Sequence, residues 1–195
     1  LLTKSSPGTI QEDILDAQGW ELLSFIMDAR TGLGRFRDFN ISNYQLMMQL
    51  IDFCRTENDI NKILALPDVK ERVDIYREHQ AKARLQIERC ARVHKNLVLL
   101  DLRNEDTIYA SNRFMIYALF ERTNISCHIM WGKNKQNTVL AIGKSILNKT
   151  SRTNVGDLCL SYNGGGHNAA GTCQIDNLKA DEVLEDIVKK INKDG

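Results

Sequence analysis

From residue 68 to residue 94 the chain contains neither glycine nor proline. Nothing there interrupts a helix, and Val69, Val73, Tyr76, Ala83, Ile87 and Cys90 recur along one near-heptad stripe with charged residues elsewhere. At 1.5 Å per residue such a helix is about 40 Å long. That is enough to cross a small domain. A helix of this length joins two lobes or packs along a single core.

Before residue 68 the patterns are helical. Thr9 and Glu12, just after Pro7 and Gly8, have the spacing of a capping box, which predicts a helix start with a break at Gly19. Ser42 and Gln45 repeat that spacing, and Tyr44, Met47, Met48, Ile51 and Cys54 follow at helical intervals. A short helix over 58–66 is expected to stop near Pro67. Beyond residue 95 the period changes. Residues 96–102 (NLVLLDL) read as a buried strand and 111–120 as a helix. Residues 125–131 and 138–146 read as a hairpin across the polar turn NKQN. A helix over 153–162, a short strand over 172–175 and a final helix over 180–191 complete the chain. That last helix carries Asp181 and Glu182 early and Lys189, Lys190 and Lys193 late, as the helix dipole prefers.

The expected fold is therefore α/β: a helical N-terminal part to residue 68, a connecting helix over 69–94, and a small mixed-sheet α/β domain over 95–195. The net charge of +1 over 195 residues provides no general basic field, so any phosphate recognition must be local. Five widely spaced cysteines without a C-x-x-C pair argue against a disulfide framework or structural zinc and favour a reducing compartment. No apolar run approaches the roughly 20 residues that span a bilayer. The opening LLTKSSPGTI does not read as a signal peptide. The expectation is a cytoplasmic protein with no membrane partner.

The chemistry concentrates in NGGGHNAAG, residues 163–171. Three consecutive glycines, Gly164, Gly165 and Gly166, are conformationally expensive to order. They let a backbone approach a ligand closely and predict a loop whose amides converge on an anion. His167 follows and can donate to a phosphate oxygen, and the small Ala169, Ala170 and Gly171 leave room beside it.

NGGGHNAAGTCQI resembles the GGGH-x-x-A-[AS]-G signature of the DHHA1 domain, the C-terminal substrate-binding domain of DHH-family phosphoesterases. The resemblance covers about residues 95–195 and is nearest to the exopolyphosphatase-like and oligoribonuclease-like branch. It implies that Gly164, Gly165, Gly166 and His167 bind substrate phosphate. Lys144 stands where many relatives carry arginine, and an ammonium is a point charge rather than a bidentate fork. Asn148 is implied as a polar neighbour of the pocket, with Ser145 and Asn154 as weaker ones. In the front part, IMDARTGLGRF is similar to a late DHH motif. This makes Asp28 a candidate metal ligand, with Arg30 in the place just before Thr31.

The Asp-His-His triplet itself is absent: the histidines are His79, His94, His128 and His167, and none forms it. One carboxylate cannot assemble a two-metal centre. The resemblance thus implies a phosphoesterase using Mn2+ or Mg2+, with residues 1–68 as a remnant of the catalytic lobe. This chain is expected to supply mainly the substrate grip, with metals bound elsewhere or not at all. The expected ligand is a phosphorylated small molecule, polyphosphate or a short oligonucleotide. The alternatives are a non-catalytic RNA- or nucleotide-binding module, and a helical front that serves to make a homodimer. His79, His94 and His128 are expected to have no functional role, with His79 and His94 on the charged face or end of the long helix.

Overall fold

The structure, a computed structural model, describes residues 10–195. It divides into two units. The first runs through Gln86 and includes Tyr109–Met115; the second comprises Ile87–Ile108 and Ile116–Gly195. No described helix is long and apolar enough to cross a membrane.

In the first unit, α1 (Ile10–Leu15) and α2 (Gly19–Met27) are separated at Gly19, whose φ of +53° suits a residue without Cβ. The expected Thr9 cap lies outside the described residues. Two short 3-10 turns follow, then α3 (Asn43–Phe53), α4 (Ile60–Leu64) and the long α5 (Pro67–Cys90). The second capping box forms as expected: Ser42 Oγ accepts from Gln45 N, and Ser42 N donates to the Gln45 side chain. Leu22, Ile26, Leu46, Leu50, Ile63, Val69, Val73 and Tyr76 make this unit's core.

Arg72 is fully buried in the first unit. Its guanidinium donates to Asn43 Oδ1 (3.0 Å), Asp68 O (2.7 Å) and Ile41 O (2.7 Å), and it lies 3.9 Å from the centre of the Phe39 ring. His79 is also buried, contrary to its expected place on a charged face. Phe36, 4.1 Å away edge to face, and Tyr109 close over it, and Nδ1 accepts from Ala110 N. Those partners are distant in sequence, so the stripe of α5 alone does not reveal them.

The second unit is built on a six-stranded mixed sheet in the order β1-β2-β3-β4-β6-β5. Its strands are β1 (Ala91–His94), β2 (Leu97–Asp101), β3 (Ile125–Trp131), β4 (Thr138–Lys144), β5 (Gly165–His167) and β6 (Ala170–Ile175). Only β2 and β3 pair in parallel. Leu97, Leu99, Ile125, Cys127, Ile129, Leu140, Ile142, Cys173 and Ile175 form one buried face, which packs with α7 (Val155–Leu160) and α8 (Ala180–Asp194). Along β3, Ser126 and His128 fall on the opposite face. There Tyr117, in α6 (Met115–Leu119), shares a 2.7 Å hydrogen bond with Ser126 Oγ and donates to Gly143 O. At the end of β2, Arg103 binds Asp101 and Asp181, tying that strand to the first turn of α8.

Two expectations shift. The helix predicted to residue 94 stops at Cys90, because residues 91–94 pair with 97–100 across a turn in which Lys95 takes a φ of +57°. The helix predicted over 111–120 contracts to Met115–Leu119. Buried Asn112 takes Phe114 N on its side-chain oxygen and donates to Ile14 O and Tyr76 Oη, which commits that stretch to a turn.

Candidate functional site

The glycine-rich segment begins where α7 ends. Asn154 caps the start of α7 through Asp157 N. At its other end Asn163 adopts a left-handed φ of +57°, and Gly164 N donates back to Cys159 O at 2.9 Å. The chain then runs directly into β5, pairing Gly165 with Thr172, Gly166 with Gly171 and His167 with Ala170. The three glycines are therefore not the loop of convergent amides expected from the sequence. In a strand, successive amides point to opposite sides.

Packing explains most of these glycines, and not all. A Cβ on Gly164 would lie 2.2 Å from Thr172 O and 2.6 Å from Cys173 Cβ. One on Gly166 would lie 2.3 Å from Ala170 O, and one on Gly171 would lie 2.9 Å from Cys159 Sγ. Gly156 in α7 meets Gly166 O in the same way, at 3.1 Å. At Gly165 there is nothing within 4 Å. The fold has room for a side chain there, so the bare backbone at this position is left open on the exposed side of the hairpin.

His167 is exposed and precedes the two-residue turn Asn168-Ala169. Its Nδ1 accepts from Ala169 N at 3.2 Å, so the neutral ring carries its proton on Nε2. The turn is one residue shorter than the GGGH-x-x-A-[AS]-G spelling, and the His167–Ala170 pairing shows how the hairpin closes without it. Lys144 ends β4 beside this turn. Its backbone N donates to Ala169 O and its ammonium donates to Asn168 Oδ1, both at 2.9 Å. The structure thus brings His167 and Lys144 to the same turn.

Asn148 belongs to a different local arrangement. Its N donates to Ser145 Oγ and its Oδ1 accepts from Thr150 Oγ1 at 2.7 Å, so it shapes the loop after β4. Ser145 is buried and holds that loop through Leu147 N and Asn148 N. Asn168 is the polar neighbour that the sequence pattern does not single out. Its one signal is its place in the turn, opposite Lys144, and their contact spans 24 residues of sequence.

In the first unit, Asp28 caps a 3-10 turn (Ala29–Thr31) by accepting from Arg30 N. Arg30 binds both carboxylate oxygens, and Arg113 Nε lies 3.5 Å away. Burial opposes ionisation of Asp28, but the Arg30 hydrogen bonds and the charges of Arg30 and Arg113 outweigh it and hold the pKa below the usual carboxylate value. Among the described residues no three of His, Cys, Asp and Glu come together. This donor set does not fit a pair of divalent ions, to which Asp28 would add one carboxylate. A cleft of about 530 Å³ in this unit is lined by Asp68, Glu71, Asp74 and Glu78 with Arg37 and Lys70, an acidic wall unsuited to phosphate.

No protein-family model and no curated protein matches the chain. Among solved structures it is similar to the pGpG-specific phosphodiesterase PggH from Vibrio cholerae, at 59% identity and a TM-score of 0.86. That match covers 95% of this chain and 63% of the phosphodiesterase, so the chain spans less than two thirds of that structure. A DHH domain from a member of a family of ribosomal proteins matches over 94% of the chain and 44% of its own, with a TM-score of 0.57 at 14% identity, a likeness of fold. An exopolyphosphatase-related protein from Bacteroides fragilis aligns over 77% of the chain and 44% of its own, at 17% identity and a TM-score of 0.48, too loosely to argue from. The shared sequence with the phosphodiesterase and the fold held in common with a DHH domain support the resemblance to DHH/DHHA1-family phosphoesterases.

Proposed function

We propose that this chain is the substrate-gripping part of a metal-dependent phosphodiesterase and that the β5–β6 hairpin holds a phosphate of a short linear nucleotide. The observation that carries the reading is Gly165, bare where packing does not require it, two residues before the Nε2–H of His167. Lys144 adds a positive charge at the same turn. An anion approaching the hairpin meets a backbone it can reach closely, a ring donor and an ammonium.

The similarity to a pGpG-specific phosphodiesterase supports a dinucleotide with a terminal phosphate as the substrate. In this proposal the division follows the sequence boundaries: residues 1–68 belong to a catalytic lobe, 69–94 connect, and 95–195 grip substrate. Divalent ions, manganese by family resemblance, would be held mainly by residues other than the described ones. Asp28 would contribute to their binding only after exchanging its arginine partners.

The test is calorimetric binding of pGpG and of GpG, which lacks the 5′-phosphate, to the 195-residue chain. Tighter binding of pGpG, weakened about tenfold or more in His167→Ala and Lys144→Ala, supports the reading. Equal binding of both ligands, unmoved by either substitution, overturns it. With Mn2+ added, the chain alone is expected not to cleave pGpG; turnover would show that it assembles a metal centre of its own.

A further inference from the structure

The site joins an exposed histidine to a lysine whose ammonium sits at the end of four rotatable methylenes. A lysine left free in solvent samples many rotamers, and fixing it on a ligand costs side-chain entropy. Here it is not free. Lys144 Nζ donates to Asn168 Oδ1 at 2.9 Å.

Asn168 is itself held from both sides by backbone hydrogen bonds. Its carbonyl accepts from Val155 N at the start of α7 (3.2 Å), and the carbonyl of its neighbour Ala169 accepts from Lys144 N at the end of β4 (2.9 Å). Gly143 pairs with Ala170, so the end of β4 lies in register with the far side of the turn. The short turn therefore presents the Asn168 side chain to Lys144 from a backbone anchored to two elements.

We propose that Asn168 is the positioning residue for Lys144. It accepts one of the three ammonium protons and leaves the other two to meet a phosphate that also receives the His167 Nε2–H. The ligand class is a phosphate monoester end of a nucleotide, and the inference rests on the phosphate-binding reading above. Asn168 lowers the ordering cost of Lys144 and sets where its charge stands relative to His167.

A double-mutant cycle separates the two ideas. Binding of pGpG to the 195-residue chain is measured for the wild type, Lys144→Ala, Asn168→Ala, the double variant and His167→Ala, with melting temperatures alongside. Asn168→Ala is expected to weaken binding about fivefold in the wild-type background and not at all once Lys144 is gone, with the melting temperature unchanged. It should also reduce the salt dependence of binding, because the displaced ammonium no longer pairs with the phosphate. Asn168→Asp retains the acceptor and the turn chemistry, so it keeps the test informative if the alanine variant folds poorly. It should hold Lys144 in place yet weaken binding by offsetting its charge. If His167→Ala and Lys144→Ala weaken binding while Asn168→Ala does not, the positioning role is wrong and the phosphate site stands. An equal loss in both backgrounds also overturns it, since Asn168 would then act without Lys144. If neither His167→Ala nor Lys144→Ala matters, the phosphate site fails and the positioning role with it.

Discussion

The two units use their most constrained residues differently. The first buries a cation, Arg72, and satisfies it with two backbone carbonyls, an asparagine oxygen and the face of Phe39. The second packs glycines against backbone at Gly164, Gly166 and Gly171 and keeps its lysine and histidine at an open turn. The first also exposes a helical stripe, Tyr44, Met47, Met48 and Ile51, on α3, a helix with Asp52 as its one charged residue. Constraint inside the first unit fixes the fold. Constraint in the second delivers a strand edge to solvent, and that is where the proposed ligand site lies.

The largest expected effect that would break this contrast is at Arg72. Arg72→Ala strands three part-buried acceptors and removes the ring contact, and should cost about 3–5 kcal/mol, read as a loss of hydrogen-exchange protection in α3 and the first half of α5. A change below about 1 kcal/mol would mean that the buried cation does not hold the first unit together.

Next comes pH. Burial pushes the His128 imidazole down to about 4, against an ordinary value of 6.5. Its unfolded form binds the proton first, so its contribution is complete above pH 6.5 and is lost as the pH falls from 6.5 towards 4, by at most about 3 kcal/mol. His79 in the first unit is shifted in the same direction, by burial that outweighs the opposing charge of Glu78. Denaturant midpoints between pH 4 and 7 should flatten for His128→Gln in the second unit alone. An unchanged slope would show that His128 is protonated as readily folded as unfolded.

The glycines sharpen the comparison within one hairpin. Gly164→Ala should cost about 2 kcal/mol, because its Cβ would run into the Thr172 carbonyl. Gly165→Ala should change the melting temperature little, yet weaken pGpG binding about tenfold. Equal stability losses at both positions would remove the argument that Gly165 is bare for a ligand. The smallest effect is expected on α3: Met47→Gln with Met48→Gln should shift the stability of the chain by no more than about 0.5 kcal/mol.

Much of the architecture was legible in the sequence where a signal was local. The Ser42 capping box, the alternation that gives β3, and the 3.6-residue period of α8 are all complete within one segment. The misses share a physical cause. Residues 91–94 continue a helical stripe and become a strand only because β2 pairs with them. His79 sits among charges in sequence and under two aromatic rings in space. The GGGH segment announces a site by composition, but its strand conformation depends on β6, and the Lys144–Asn168 bond joins two segments that no periodicity relates.

The most direct test of the central claim is an amide chemical-shift map of the 195-residue chain titrated with pGpG. The largest shifts are expected at residues 164–170 and at Lys144, with α3 and the acidic cleft unmoved and the pattern lost in His167→Ala. Shifts centred on the first unit, or none near the hairpin at saturating ligand, would contradict it.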